Sequence, residues 1–69
     1  MPLTKATGRV KVTAINAGKN CKYKLSELGI FQGTELEILS NVGALILMIN
    51  NSRYILGRGM AEKIECEDI

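Results

Sequence analysis

The stretch from Lys24 to Leu36, KLSELGIFQGTEL, leaves the chain least freedom, because a short helix, its stop, a tight turn and a strand start follow one another there without slack. Leu25 and Leu28 are three apart and Cys21 lies one turn earlier, which places all three on one helical face. Gly29 falls where a helix takes a left-handed C′ residue, and Ile30 beyond it is placed to pack back on Leu25, as in a Schellman ending. Gly33 is a second backbone pivot, and from Thr34 onward the apolar period shortens to two. The segment is a corner from helix to strand.

Strands surround it. In GRVKVTAI, starting at Gly8, Val10, Val12 and Ala14 alternate with Arg9, Lys11 and Thr13, which predicts a half-buried strand with a basic outer face. Residues 1–7 read as a lead-in, with Pro2 unable to donate a ladder bond. AGKN is a connector, and Asn20 is the expected N-cap of a helix starting near Cys21. After the corner, TELEILS points Leu36 and Ile38 inward and Glu35 and Glu37 outward. ALILMIN is apolar at both parities and so predicts a strand covered on both faces, by the helix, by a bent neighbouring strand or by another protein.

Asn50-Asn51 is a hairpin signal, since Asn tolerates the positive φ angles of a type I′ turn, and SRYILG pairs back. A helical turn near Met60 to Glu62 precedes KIECE, a last strand with Ile64 and Cys66 inward. The expected fold is mainly β, a small five-stranded SH3-like barrel over residues 1–69, with one short helix between the first two strands and a helical turn before the last. An OB-fold barrel ranks second, because its helix usually lies between strands three and four, where this chain has only the Asn-Asn turn.

With 69 residues, 46% of them hydrophobic and only 4% aromatic, aliphatic side chains must build the core, and some remain for a contact patch. The net charge of +2 does not by itself imply a polyanionic partner. Its distribution is uneven: six bases and no acid up to Ser26, then three bases and seven acids, so the halves carry +6 and −4. That polarity either steers a partner or pairs strands within the fold.

The absence of histidine excludes a Ser-His triad and any imidazole metal site. Glu35 and Glu37 on a strand face, and Glu62, Glu65, Glu67 and Asp68 near the end, read as solvated charges. Cys21 and Cys66 form neither a CxxC nor a disulfide framework and read as buried thiols of a reduced, cytosolic domain. They are the weak candidates for transition-metal binding, with Glu65 or Glu67 beside them; no cofactor is expected. Arg9, Lys11, Lys19, Lys22 and Lys24 offer a basic patch, and the alternative function is a nucleic-acid-binding small β-barrel using this half. Tyr23 is the one aromatic among them, where single-strand binders usually show several. No signal peptide is apparent, and the longest apolar run, Ala44 to Ile49, is too short to span a bilayer, so a cytoplasmic chain not itself embedded in a membrane is expected.

LSELGIFQGTELEI, followed by ALILMINNSRYILGRGMAEKIEC, resembles the FeoA family, small SH3-like domains of bacterial ferrous iron transport. Glu27, Leu28, Gly29, Ile30, Gly33 and Leu36 match the first part of the family pattern, and Ile55, Leu56, Gly57 and Arg58 match the second loosely. Phe31 and Gln32 depart from it, standing where Thr or Ser and Pro are common, and Lys22 and Lys24 stand where arginines often crowd the helix. The resemblance implies a non-enzymatic accessory or regulatory protein of ferrous iron uptake, docking on the cytosolic G-protein part of a FeoB-type permease. The expected contact set is Tyr23, Leu28, Ile30 and Phe31 with Lys22 and Lys24 at the rim, while Glu27, Gly29 and Gly33 form the structural motif. A homo-oligomer stays open.

Overall fold

The computed structural model describes residues 1–69. A 3-10 turn at Leu3–Lys5 leads into β1 (Gly8–Ile15), α1 (Lys19–Glu27), β2 (Glu35–Ser40), β3 (Leu45–Ile49), β4 (Ser52–Leu56), α2 (Arg58–Ala61) and β5 (Ile64–Asp68). The strands form one sheet in the order β4-β3-β2-β1-β5, antiparallel throughout. This is the expected SH3-like arrangement, and no helix is long and apolar enough to cross a membrane.

The strand patterns translate directly into burial. Val10 and Val12 of β1, Leu36 and Ile38 of β2, Leu45, Leu47 and Ile49 of β3, and Ile64 and Cys66 of β5 all lie in one core, with Leu25 of α1 set over it. The β1–β5 ladder shifts register between Val12 and Ala14, and the β2–β3 ladder between Ile38 and Ser40. Such bulges bend a strand and raise its twist, which curls a short sheet toward a barrel. Asn50 and Asn51 take φ of 50° and 68°, as a type I′ turn needs, and close the hairpin at Ile49 and Ser52. The opposite parity of β3 is only partly covered: Ile46 and Met48 remain half-exposed.

Strand pairing absorbs part of the charge polarity. Across β1 and β2, Arg9 stands opposite Glu37 and Lys11 opposite Glu35; across β1 and β5, Lys11 stands opposite Glu67. Arg9 Nη2 also lies 3.5 Å from Glu35 Oε1. Arg9 and Lys11 of the basic first half are therefore neighbours of Glu35, Glu37 and Glu67 on facing strands, while Lys5, Lys19, Lys22 and Lys24 lie outside the sheet.

Two expectations about boundaries are corrected. α1 begins at Lys19 with Gly18 as N-cap, and Lys22 N–H already bonds the Gly18 carbonyl at 3.0 Å, so Asn20 lies inside the helix and caps nothing. The second helix starts at Arg58, ahead of the expected Met60. Residues 1–7 do more than lead in: Leu3 and Ala6 are wholly buried, and Pro2 bridges Glu65 beside β5. Met1 and Cys66 exchange hydrogen bonds at 2.8 and 2.9 Å.

Arg58 holds that segment down. Its Nη1 donates to Asn41 O (3.2 Å), Asn41 Oδ1 (3.1 Å) and Gly43 O (2.9 Å), and its Nη2 to Thr4 O (3.3 Å). Asn41 Nδ2 completes the clasp by donating to Thr4 O at 2.7 Å and Ala6 O at 3.0 Å. The 3-10 turn, the β2–β3 loop and α2 are thus tied by one guanidinium and one amide.

Candidate functional site

The corner after α1 is built as its glycines require. Ile30 N–H bonds Leu25 O at 2.9 Å and Gly29 N–H bonds Ser26 O at 3.0 Å, the two bonds of a Schellman ending, with Gly29 at φ 86°. Gly33, at φ 95°, sends its N–H to Val12 O at 2.7 Å, and Val12 N–H returns to Thr34 O at 2.8 Å, which anchors the corner on β1. Thr34 closes it from inside: its hydroxyl donates to Gly29 O (3.1 Å) and accepts from Phe31 N–H (3.0 Å). Phe31 is held at the apex of a turn whose backbone groups are bonded on both sides. The part of Thr34 escaped the sequence reading, although a threonine three residues past a turn start is a known local acceptor.

Helical geometry divides α1 into three faces. Cys21, Leu25 and Leu28 pack on the core. Lys19, Lys22, Tyr23 and Ser26, related by steps of three and four along the helix, line a groove of about 380 Å³ whose other wall is Ile15 and the corner residues Ile30, Phe31 and Gln32. Lys24, Glu27 and Leu28 line a separate groove of about 470 Å³ against Ile55, Leu56, Gly57 and Met60. On the far side of Phe31 lies a wider polar hollow of about 700 Å³ with Arg9, Glu35, Glu37 and Met48.

The expected contact set therefore splits. Tyr23 and Phe31 are 68% and 54% exposed and share the first groove with Lys22. Ile30 is 1% exposed, so it orients the corner and cannot present its side chain to a partner as expected. Leu28 is half-buried against the core, and Lys24 faces the other groove. Glu27 is exposed there as well, whereas Gly29 and Gly33 hold the backbone as read.

The metal and nucleic-acid alternatives gain no geometry. Cys66 lies in the core with its Sγ directed to Met1 O at 3.4 Å, and burial pushes its thiol pKa up from the ordinary 9.0, with Glu65 and Asp68 adding and the Met1 ammonium opposing. A thiol so protected is a poor source of thiolate. Cys21 packs against the core from α1, and no three Cys, Asp or Glu side chains converge. Of the five bases proposed for nucleic acid, Arg9 and Lys11 face acids across the sheet, and only Lys19 and Lys22 share a groove.

The FeoA domain family model matches residues 1–68. Over 60 residues the chain is 37% identical to the "Putative Fe(2+) transport protein A" of Methanocaldococcus jannaschii, an alignment covering 86% of this chain and 73% of that protein. It superposes on the crystal structure of an iron uptake regulatory protein (FeoA) with a TM-score of 0.92 at 24% identity, covering 100% of this chain and 96% of that one. A TM-score of 0.92 is also reached at 18% identity with the crystal structure of ScaR with bound Zn2+, of which the match spans 37%. These two likenesses show the shared fold.

Proposed function

The chain belongs to the FeoA domain family, and from that premise we propose that it is a cytoplasmic accessory protein of ferrous iron transport, acting by contact without catalysis on the cytosolic G-protein part of a FeoB-type permease. The observation that carries the contact mode is the pairing of two exposed aromatics, Tyr23 and Phe31, across one groove with Lys19 and Lys22 at its rim. An aromatic pair over an apolar floor with a charged border has the composition of an interaction hot spot. The corner supplies rigidity: Phe31 N–H is bonded to Thr34, so little backbone freedom remains to be lost on docking. Lysines at the rim would raise the association rate toward an acidic patch more than the final affinity.

Calorimetry with the isolated cytosolic permease domain tests this reading. Phe31→Ala and Tyr23→Ala should each weaken binding by about tenfold or more, as loss of a hot-spot aromatic does. Both side chains are exposed, so melting should stay within about 0.5 kcal/mol of the parent. Leu28→Glu is the wrong probe, because it would put a charge against the core. Parental affinity in the Phe31→Ala, Tyr23→Ala double variant would sink the assignment.

A further inference from the structure

The second flank of α1 remains without a role, and we propose that it binds a second copy of this chain about a two-fold axis. Ile55 projects from β4 with 72% of its surface exposed, beside the groove whose floor is Leu28, Leu56 and Met60. β4 is an edge of the sheet, bonded to β3 alone, so apolar side chains and free backbone donors and acceptors are presented together. An open edge strand carrying an apolar side chain is a template for pairing with another chain.

The charges say which occupant fits. Lys24 and Glu27 border this groove three residues apart on α1, and neither belongs to either of the ion pairs within the chain, Met1–Glu65 and Arg9–Glu35. A partner carrying one sign of charge would satisfy one of them and repel the other. A second copy turned by a two-fold sets Lys24 of each chain against Glu27 of the other, so two reciprocal pairs form and neither charge is left over, while Ile55 of each enters the opposing groove. A groove of about 470 Å³ has room for that side chain. The area is also within reach: about 800 Å² per partner, the usual size of a specific interface, is roughly a fifth of the 4263 Å² the chain exposes. Tyr23 and Phe31 face the other groove, so this pairing leaves the docking face open and does not depend on it.

Sedimentation equilibrium of the full chain from micromolar to millimolar concentration tests the proposal. The parent should move from monomer to dimer, and Ile55→Lys should stay monomeric with an unchanged circular dichroism spectrum and melting curve. Lys24→Glu alone and Glu27→Lys alone should each raise the dimer dissociation constant by about tenfold or more, since each sets like charges together. The double variant Lys24→Glu, Glu27→Lys should return to the parental value, because exchanging both signs preserves the pairing. Phe31→Ala should dimerise as the parent does. A parent monomeric at millimolar concentration, a trimer or larger species, or a double variant no tighter than the single ones would overturn the proposal.

Discussion

Replacing Arg58 by alanine should loosen the covering of Cys66 without touching the sheet. The guanidinium donates to Asn41 O, Asn41 Oδ1, Gly43 O and Thr4 O at 2.9–3.3 Å, but the Nη1 bonds are solvent-exposed and only the bond to Thr4 O is partly buried. Hydrogen bonds to a charged group contribute about 1.5–3 kcal/mol when they are sheltered. Water can replace the exposed ones, so a net loss of about 1–2 kcal/mol is expected for the set, a factor of about 5–30 in the population of the opened segment. That segment includes Met1, whose carbonyl accepts from the Cys66 N–H and thiol, and Pro2, which bridges Glu65. In a Cys21→Ser background, reaction of Cys66 with an aromatic disulfide reagent should therefore run about 5–30-fold faster in Arg58→Ala, provided local opening limits access. Arg58→Lys should fall between, since an ammonium has no fork to span two segments. A change of less than about twofold in Arg58→Ala would refute the coupling between clasp and thiol.

Two further outcomes follow from the backbone and the core. Gly29→Ala meets no atom within 4 Å of the added Cβ, so its cost is that of the left-handed φ of 86° alone. This is about 1–2 kcal/mol, or about 4–8 °C per kcal/mol in melting temperature for a domain of this size, and an unchanged Tm would deny the Schellman ending its role. Burial raises the Cys66 pKa, so the folded state keeps a proton that the unfolded state releases first; the contribution is complete below the ordinary thiol value of 9.0 and is lost as pH rises through the folded value. Denaturant titrations from pH 7 to 10.5 should show stability falling above about pH 9 in the parent, and a smaller fall in Cys66→Ala.

The corner was legible because its signals are local. Gly29, Gly33 and the Asn50-Asn51 pair announce positive φ angles that few other residues take, and all of them have such angles. Strand alternation likewise gave Val10, Val12, Leu36, Ile38, Ile64 and Cys66 as core residues. Features that join distant segments were not legible. Leu3 and Ala6 sit in the core on a turn that Asn41 and Arg58, some 35 to 54 residues later, fasten through Thr4 O and Ala6 O, and nothing local marks an amide or a guanidinium as a structural clasp. Ile30 had two readings, packing back on Leu25 and touching a partner; the Schellman bond to Leu25 and full burial bear out the first, and the same burial removes the second. Lys22 and Lys24 are near neighbours in sequence, yet lie about 200° apart around α1, which is why they face different grooves.

The place of β1 in the sheet has a consequence for how the chain folds as it is made. Its two neighbours are β2, which follows the corner, and β5, whose Asp68 pairs with Val10 from 58 residues further along. Emerging from the ribosome, β1 can acquire α1, the corner and β2 as a local unit, but its other edge stays open until β5 is released. Sheets closed by such distant pairing fold in milliseconds to seconds. During that interval the nascent chain displays Val10 and Val12 beside an unpaired strand edge, and the alternating Arg9 and Lys11 then act as gatekeepers that discourage pairing with a neighbouring chain.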